Sequence, residues 1–177
     1  MHVVELDPGD PTLAEVLPVL RELRPHLDLE LFRSIYHEGW PQGLRFTAVF
    51  DDADRCVAVA GWRIIASTSA VRKLYVDDLV TTSEARSAGH GHVLLNHLVR
   101  IAATNGCNDI DLDSGTHRVD AHRFYFREGL VISAFHFRRA IAAEPEEPLH
   151  PERLDPDQLA INLTAEPDRL EADGSAA

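Results

Sequence analysis

Apolar residues first gather at residues 3–6, which predicts a strand, and the turn residues Asp7-Pro8-Gly9-Asp10-Pro11 break it. Leu13, Val16, Leu17 and Leu20 then recur at helical spacing behind Thr12, a predicted cap. This helix ends near Pro25, and Pro18 inside it predicts a kink. A second helix over residues 27–37 carries Leu29, Leu31, Phe32 and Ile35, and Trp40-Pro41-Gln42-Gly43 stops it. Residues 44–50 and 56–66 read as two strands joined by the polar turn 51–54, an antiparallel hairpin.

The pattern continues with a strand over residues 71–81. After Gly91, Val93, Leu94, Leu98, Ile101 and Ala102 share one helical face, which Asn105-Gly106 terminates. Residues 109–113 alternate as a strand, and a helical crossover between two strands implies that they run parallel. A short helix over residues 119–128 stops at Gly129, and residues 131–140 read as one or two closing strands with Phe135 and Phe137 on one face. The order β-α-α-β-β-β-α-β-α-β predicts an α/β fold, a mixed sheet of six or seven strands with helices on both faces.

Composition narrows the class. The 177 residues suit one domain with a real core. A net charge of -12 and a single lysine, Lys73, argue against nucleic acid or an anionic membrane as partner. No apolar run reaches the length of a membrane span, and MHVVELDPGDP has no signal-peptide pattern, so the expected location is the cytoplasm. Cys56 and Cys107, in apolar strand-like contexts without metal spacing, read as buried free thiols. The acid excess lies in the tail: ten Asp and Glu stand against Arg153 and Arg169 from residue 141 on, with five of the ten prolines. Residues 1–140 therefore form the expected domain and 141–177 an acidic, Pro-rich tail, in which 159–164 could add a docking strand.

One stretch concentrates the chemistry. From Leu74 to His92 the chain reads LYVDDLVTTSEARSAGHGH: a strand with two adjacent carboxylates, then a turn with spacing Arg86-x-x-Gly89-x-Gly91, then a helix start. Free amides and the positive helix end make such a turn an anion cradle. The spacing is neither a dinucleotide fingerprint nor a P-loop, and a plain helix cap with two turn glycines explains it equally well. About thirty residues on, Ala121-His122-Arg123-Phe124-Tyr125-Phe126-Arg127-Glu128-Gly129-Leu130 places a Phe-Tyr pair in a short helix that ends at Gly.

Together these stretches resemble the GNAT superfamily of acyl-CoA N-acyltransferases, whose members show a Q/R-x-x-G-x-G/A turn after the fourth strand and A-x-x-F-Y-x-x-x-G-F near the end of the domain. Arg86, Gly89 and Gly91 match the first; Ala121, Phe124, Tyr125 and Gly129 match the second. The resemblance implies the GNAT fold, acetyl-CoA as acyl donor, no metal, a primary amine as acceptor and, by family tendency, a homodimer. It implies that the backbone of Leu79, Val80 and Thr81 pairs with the pantetheine arm. The pyrophosphate would fall to Arg86 and the amides of Ser87, Ala88, Gly89, His90, Gly91 and His92.

Amine acetylation needs a base for the ammonium proton and an acid for the departing thiolate. Tyr125 suits the acid, because a phenol is little ionised at neutral pH; a core aromatic is the plainer alternative. Tyr75-Val76-Asp77-Asp78-Leu79-Val80 resembles the Tyr-Leu-Glu-Asp-Phe-Phe of spermidine/spermine N-acetyltransferases, which implies Asp77 as base, one methylene shorter than Glu and so acting through water. By strand alternation Asp77 and Asp78 point apart unless a bulge re-aims them. Asp78, His117, Arg118 and His122 are the expected acceptor-side residues, and the carboxylates suggest a small polyamine-like amine. A non-catalytic acyl-CoA binding module and a protein N-acetyltransferase remain as alternatives.

Arg118 stands where the family often has Asn, Leu130 where it has Phe, and Ser87 where the common form has its first glycine. Glu38 and Trp40 fall in a region that forms acceptor walls in many family members. His90 and His92 alternate at a spacing that metal ligands use, with no third ligand near in sequence. Asp113, Ser114 and His117 are too close in sequence to build a catalytic triad on one loop.

Overall fold

The computed structural model describes residues 1–141. One compact unit, Met1–Phe135, carries all the regular structure found among the described residues; a second unit begins at His136. Five strands lie in sequence order: β1 (His2–Leu6), β2 (Arg45–Phe50), β3 (Cys56–Ser67), β4 (Val71–Thr81) and β5 (Asp109–Leu112). The first four pair antiparallel, and β4 and β5 are parallel, as the crossover through α3 (His90–Thr104) requires. Helices α1 (Leu13–Arg21) and α2 (Leu29–Gly39) precede the hairpin, and α4 (Val119–Arg127) follows β5. Among the described residues no helix is long and apolar enough to cross a membrane.

The sheet is covered on both faces. Leu13, Val16 and Leu20 of α1 and Phe32 and Tyr36 of α2 pack with Phe46, Ala48, Phe50, Val59 and Val80. Leu94, Leu98 and Ala102 of α3 pack on the opposite face with Val49, Ala58, Ala60, Trp62, Leu74 and Val76. In that second core the indole Nε1–H of Trp62 donates to Thr47 Oγ1 at 2.9 Å, so a fully buried hydroxyl is satisfied.

Three expectations need correction. Residues 131–140 carry no strand, so the described sheet has five strands rather than six or seven. Val131, Ile132, Phe135 and Phe137 are all exposed. Alternation says which residues would share a face; it does not supply the neighbouring backbone without which a strand does not form. The apolar stripe of α2 is also rotated: Leu31 and Ile35 are about 40% exposed, and Phe32 and Tyr36 are buried, because their rings pack against Phe46. Thr12 makes no side-chain cap; Asp10 Oδ1 accepts from the Thr12 amide instead, and Asp28 caps α2 through the Leu31 amide at 2.8 Å. Cys56 and Cys107 are free and half-buried. The anticipated strand at 159–164 lies outside the described residues.

Tyr36 ties the first layer together. Its hydroxyl donates to the Leu6 carbonyl at 2.5 Å and accepts from the Phe46 amide at 3.2 Å, at the last register pair of β1 and β2. Replacing Tyr36 with Phe leaves two buried backbone groups unpartnered, and we expect a loss of about 1–3 kcal/mol in urea denaturation at neutral pH. Burial pushes the Tyr36 phenol up from 10 to about 12. Its folded value lies above its unfolded one, so this stabilisation is complete below the unfolded value and disappears as pH rises through about 12. Denaturation curves of Tyr36→Phe are expected to lack that alkaline component.

Candidate functional site

The site is built around an interruption in β4. Gly61 pairs with Asp78 but Trp62 pairs with Val76, so Asp77 is one residue too many for its neighbour strand. This β-bulge reverses the alternation. Before it, Leu74 and Val76 face α3; after it, Leu79 faces α3 and Val80 faces α1 and α2. Directly paired residues share a face, so Asp78 lies beside Gly61, on the face that also carries Arg63. The two carboxylates therefore do not point apart: Asp77 Oδ2 accepts from Arg63 Nε at 2.9 Å and Asp78 Oδ1 from Arg24 Nε at 2.7 Å. Arg24 Nη2 also donates to the carbonyl of Asp77 at 3.3 Å and so grips the bulge itself.

Gly61 makes room for this. A Cβ there would lie 2.9 Å from Phe46 Cε1 and 3.2 Å from Asp78 Oδ2. Asp78 is 14% exposed, and burial pushes its carboxyl above the usual range, with Arg24 opposing that shift.

Pairing between β4 and β5 ends at Val76 and Leu112, and β4 runs on to Thr81. The two parallel strands part there. A cleft of about 100 Å³ opens in the gap, with Arg24, Asp77, Leu79, Asp113, Arg118 and Tyr125 among the residues around it. The expected base and acid thus share one cavity, and Asp78 is not among its lining residues. Tyr125, on α4, is half-buried; desolvation raises its phenol and the charge of Arg118 holds it down. Tyr75 donates its hydroxyl to Asp113 Oδ2 at 2.5 Å, and burial, then this bond, push its phenol above the ordinary range.

Beyond Thr81 the chain makes a short 3-10 turn, Ser83–Ala85, and reaches the cradle. Ser87 has φ +65° and Gly89 φ +87°, left-handed conformations that turn successive amides. Ser87 holds this conformation with a side chain, at a cost of about 1–2 kcal/mol relative to glycine. The two glycines differ in purpose. Nothing lies within 4 Å of a Cβ at Gly89, so its conformation is what requires glycine; at Gly91 a Cβ would lie 3.3 Å from both Phe124 Cζ and Thr81 Oγ1. Gly91 lets the first turn of α3 approach β4 and α4. The amides of that turn have no intrahelical acceptor. Ala88 is exposed, as is Arg86 at 67%.

The histidines divide. His92 Nδ1 is 2.7 Å from Glu128 Oε2, which joins α3 to α4, and His90 lies beside Met1. His117 packs on Gly115, and His122 is half-buried on α4; neither lines the cleft. Trp40 packs under the guanidinium of Arg45, 3.6 Å from its ring centre, as part of the first core. Sequence reasoning missed Glu22, Arg24 and Arg63. Arg24 and Arg63 had no motif around them, and only the bulge brings them to the carboxylates.

Breaking the Arg24–Asp78 pair leaves a mostly buried carboxylate uncompensated. Because Arg24 is 46% exposed and screened by solvent, Arg24→Ala is expected to cost about 1–2 kcal/mol at neutral pH rather than the larger figure of a fully buried pair. The folded pKa of Asp78 is raised, so the cost of its ionisation grows as pH rises through that value and vanishes below the unfolded one. Urea denaturation at about pH 4 should show the variant close to wild type, with the deficit opening toward about pH 7.

Comparison with known proteins gives one consistent picture. The Acetyltransferase (GNAT) family profile matches residues 13–129. The uncharacterised N-acetyltransferase YhdJ of Bacillus subtilis strain 168 is 33% identical over 134 residues, which span 72% of this chain and 91% of that protein. An acetyltransferase from Trypanosoma brucei superposes with a TM-score of 0.65 at 22% identity, over 79% of this chain and 99% of the other. An aminoglycoside acetyltransferase from an uncultured soil metagenomic sample gives 0.66 at 12% identity, over 80% and 96%. At these identities the two structures speak for the fold alone.

Proposed function

The chain belongs to the GNAT family of acetyltransferases, and from that premise we propose that it moves acetyl from acetyl-CoA to a primary amine by direct attack, with Asp77 as base and Tyr125 as acid. The observation that carries this reading is the cleft where β4 and β5 part, which both side chains line.

The residues present fit the acyl donor. Ser87 and Gly89 turn the loop through left-handed conformations of the kind that gather amides around an anion, and the helix end and Arg86 add positive charge where a pyrophosphate would sit. Past Val76, β4 has no β5 partner, so the backbone of Leu79, Val80 and Thr81 can take the pantetheine arm as an added strand. Acetyl-CoA supplies the activated carbonyl carbon on which the amine acts.

The remaining work falls to the chain. Arg63 binds Oδ2 of Asp77 and fixes the carboxylate; Oδ1 has no hydrogen bond among the described residues and takes the ammonium proton, through a water where the short side chain does not reach. Tyr125, its phenol raised by burial, stays protonated at neutral pH and gives its proton to the departing sulfur. Arg118, beside it, favours the phenolate that results. Asp78 is the buried partner of Arg24, and its part in the site is to hold the bulge. The pairing of both carboxylates with arginines removes the net negative charge that suggested a polyamine, so the acceptor we favour is a simple primary amine.

The test is thiol release from acetyl-CoA across a panel of monoamines, diamines, polyamines and peptides with free amino termini. On the best acceptor Asp77→Asn is expected to lower kcat/KM by about 100-fold to 10,000-fold at neutral pH. That deficit should shrink at alkaline pH, where the amine arrives already deprotonated. Tyr125→Phe should lower kcat by about tenfold or more. Wild-type turnover by both variants sinks the assignment of roles, and tight CoA binding with no thiol release on any acceptor favours a binding module.

A further inference from the structure

The turn that follows α1, residues 22–24, carries three side chains that reach three parts of the site. Arg24 holds the bulge, Leu23 lines the cleft, and Glu22 crosses to the loop after β4. Glu22 Oε1 accepts from Thr82 Oγ1 at 2.7 Å and from the Ser83 amide at 3.0 Å, and Oε2 accepts from the same amide at 2.9 Å. Ser83 Oγ adds a longer contact at 3.4 Å. Arg86 Nη2 lies 3.6 Å from Oε2. The carboxylate is 26% exposed and so keeps only a modest share of its hydration.

These contacts have two consequences of opposite sign. Thr82 and Ser83 are where the strand becomes the loop, and the Thr82 amide already donates to the Val57 carbonyl at 3.0 Å. With Glu22 on the other side, the start of the loop is held from both β3 and α1, which sets the direction in which the amides of Ser87 and the first turn of α3 are presented. The same carboxylate draws on Arg86 and lowers the positive potential at the cradle. We infer that Glu22 is the positioning residue of the anion cradle, tying the loop to the turn after α1 that carries Arg24 while holding Arg86 back until an anion competes for it. This inference rests on the reading of the loop as the CoA pyrophosphate site.

Two substitutions separate the effects. Glu22→Gln keeps a carbonyl oxygen to accept from Ser83 and Thr82 and removes the charge that competes for Arg86. Glu22→Ala removes both. By calorimetry with CoA at low salt, Glu22→Gln is expected to bind about twofold to threefold more tightly than wild type, an advantage that fades at high salt because the pair is solvent-accessible. Glu22→Ala is expected to bind about fivefold more weakly, through loss of the loop anchor. KM for acetyl-CoA should follow the same order, with the effect on kcat much smaller. A general folding defect would weaken both variants, so the opposed signs are diagnostic. Wild-type affinity in both variants, or weakening in both, overturns the role of Glu22 and leaves the CoA site standing. Wild-type protein that binds no CoA overturns the reading of the loop and this inference with it.

Discussion

The bulge at Asp77 is the constraint on which the arrangement depends. One extra residue in β4 exchanges the faces of everything beyond it, so Leu74 and Val76 serve one core while Val80 serves the other. A regular strand could not place two successive carboxylates on the same face of the sheet; the bulge does, and both then require cations. Arg63 comes from the adjacent strand and Arg24 from the turn that follows α1. The pairing with β5 also stops at Val76, one residue before the bulge, so the interruption that gathers the charges coincides with the opening of the cleft.

Such a cluster would be expensive without its partners. Two carboxylates side by side on a partly buried strand repel one another, and the Asp77 charge adds to the upward push on Asp78. The arginines offset this, and Arg24 also bonds the peptide carbonyl at the bulge, where strand geometry leaves a polar group short of a ladder partner. The turn after α1 thereby becomes a brace: Glu22 goes to the loop, Arg24 to the strand, with opposite charges suited to the amides of one and the carboxylates of the other. Chemistry placed on β4 is held by the turn that follows α1.

The candidate turn was legible in one dimension because its parts are local. A glycine-rich turn between a strand and a helix declares free amides, and Arg86, Gly89 and Gly91 fall within six residues of each other. Even so, the two glycines looked alike in sequence. Only the packed structure shows that Gly89 answers a backbone angle and Gly91 the approach of Phe124. The Phe-Tyr pair in α4 was equally readable as core; its meeting with Asp77 across the cleft depends on a separation of nearly fifty residues being closed by the fold. Arg24 and Arg63 carried no signal at all, because an arginine at the end of a helix or in a strand is ordinary until its partner is known.

Periodicity and turn residues determined the class of fold, the order of elements from residue 2 to residue 127, the parallel pairing around α3 and the place of the glycine-rich turn before it, since each follows from which residues recur on one face and where the backbone can turn. It erred over residues 131–140, where alternation had no neighbouring strand to act on, and in α2, where contact with Phe46 chose which ring faced inward. Tertiary structure decided the direction of the two carboxylates, their arginine partners and the opening beside them. The reason is physical: a bulge belongs to a pair of strands and a salt bridge to two distant segments, so neither is a property of any one stretch of chain.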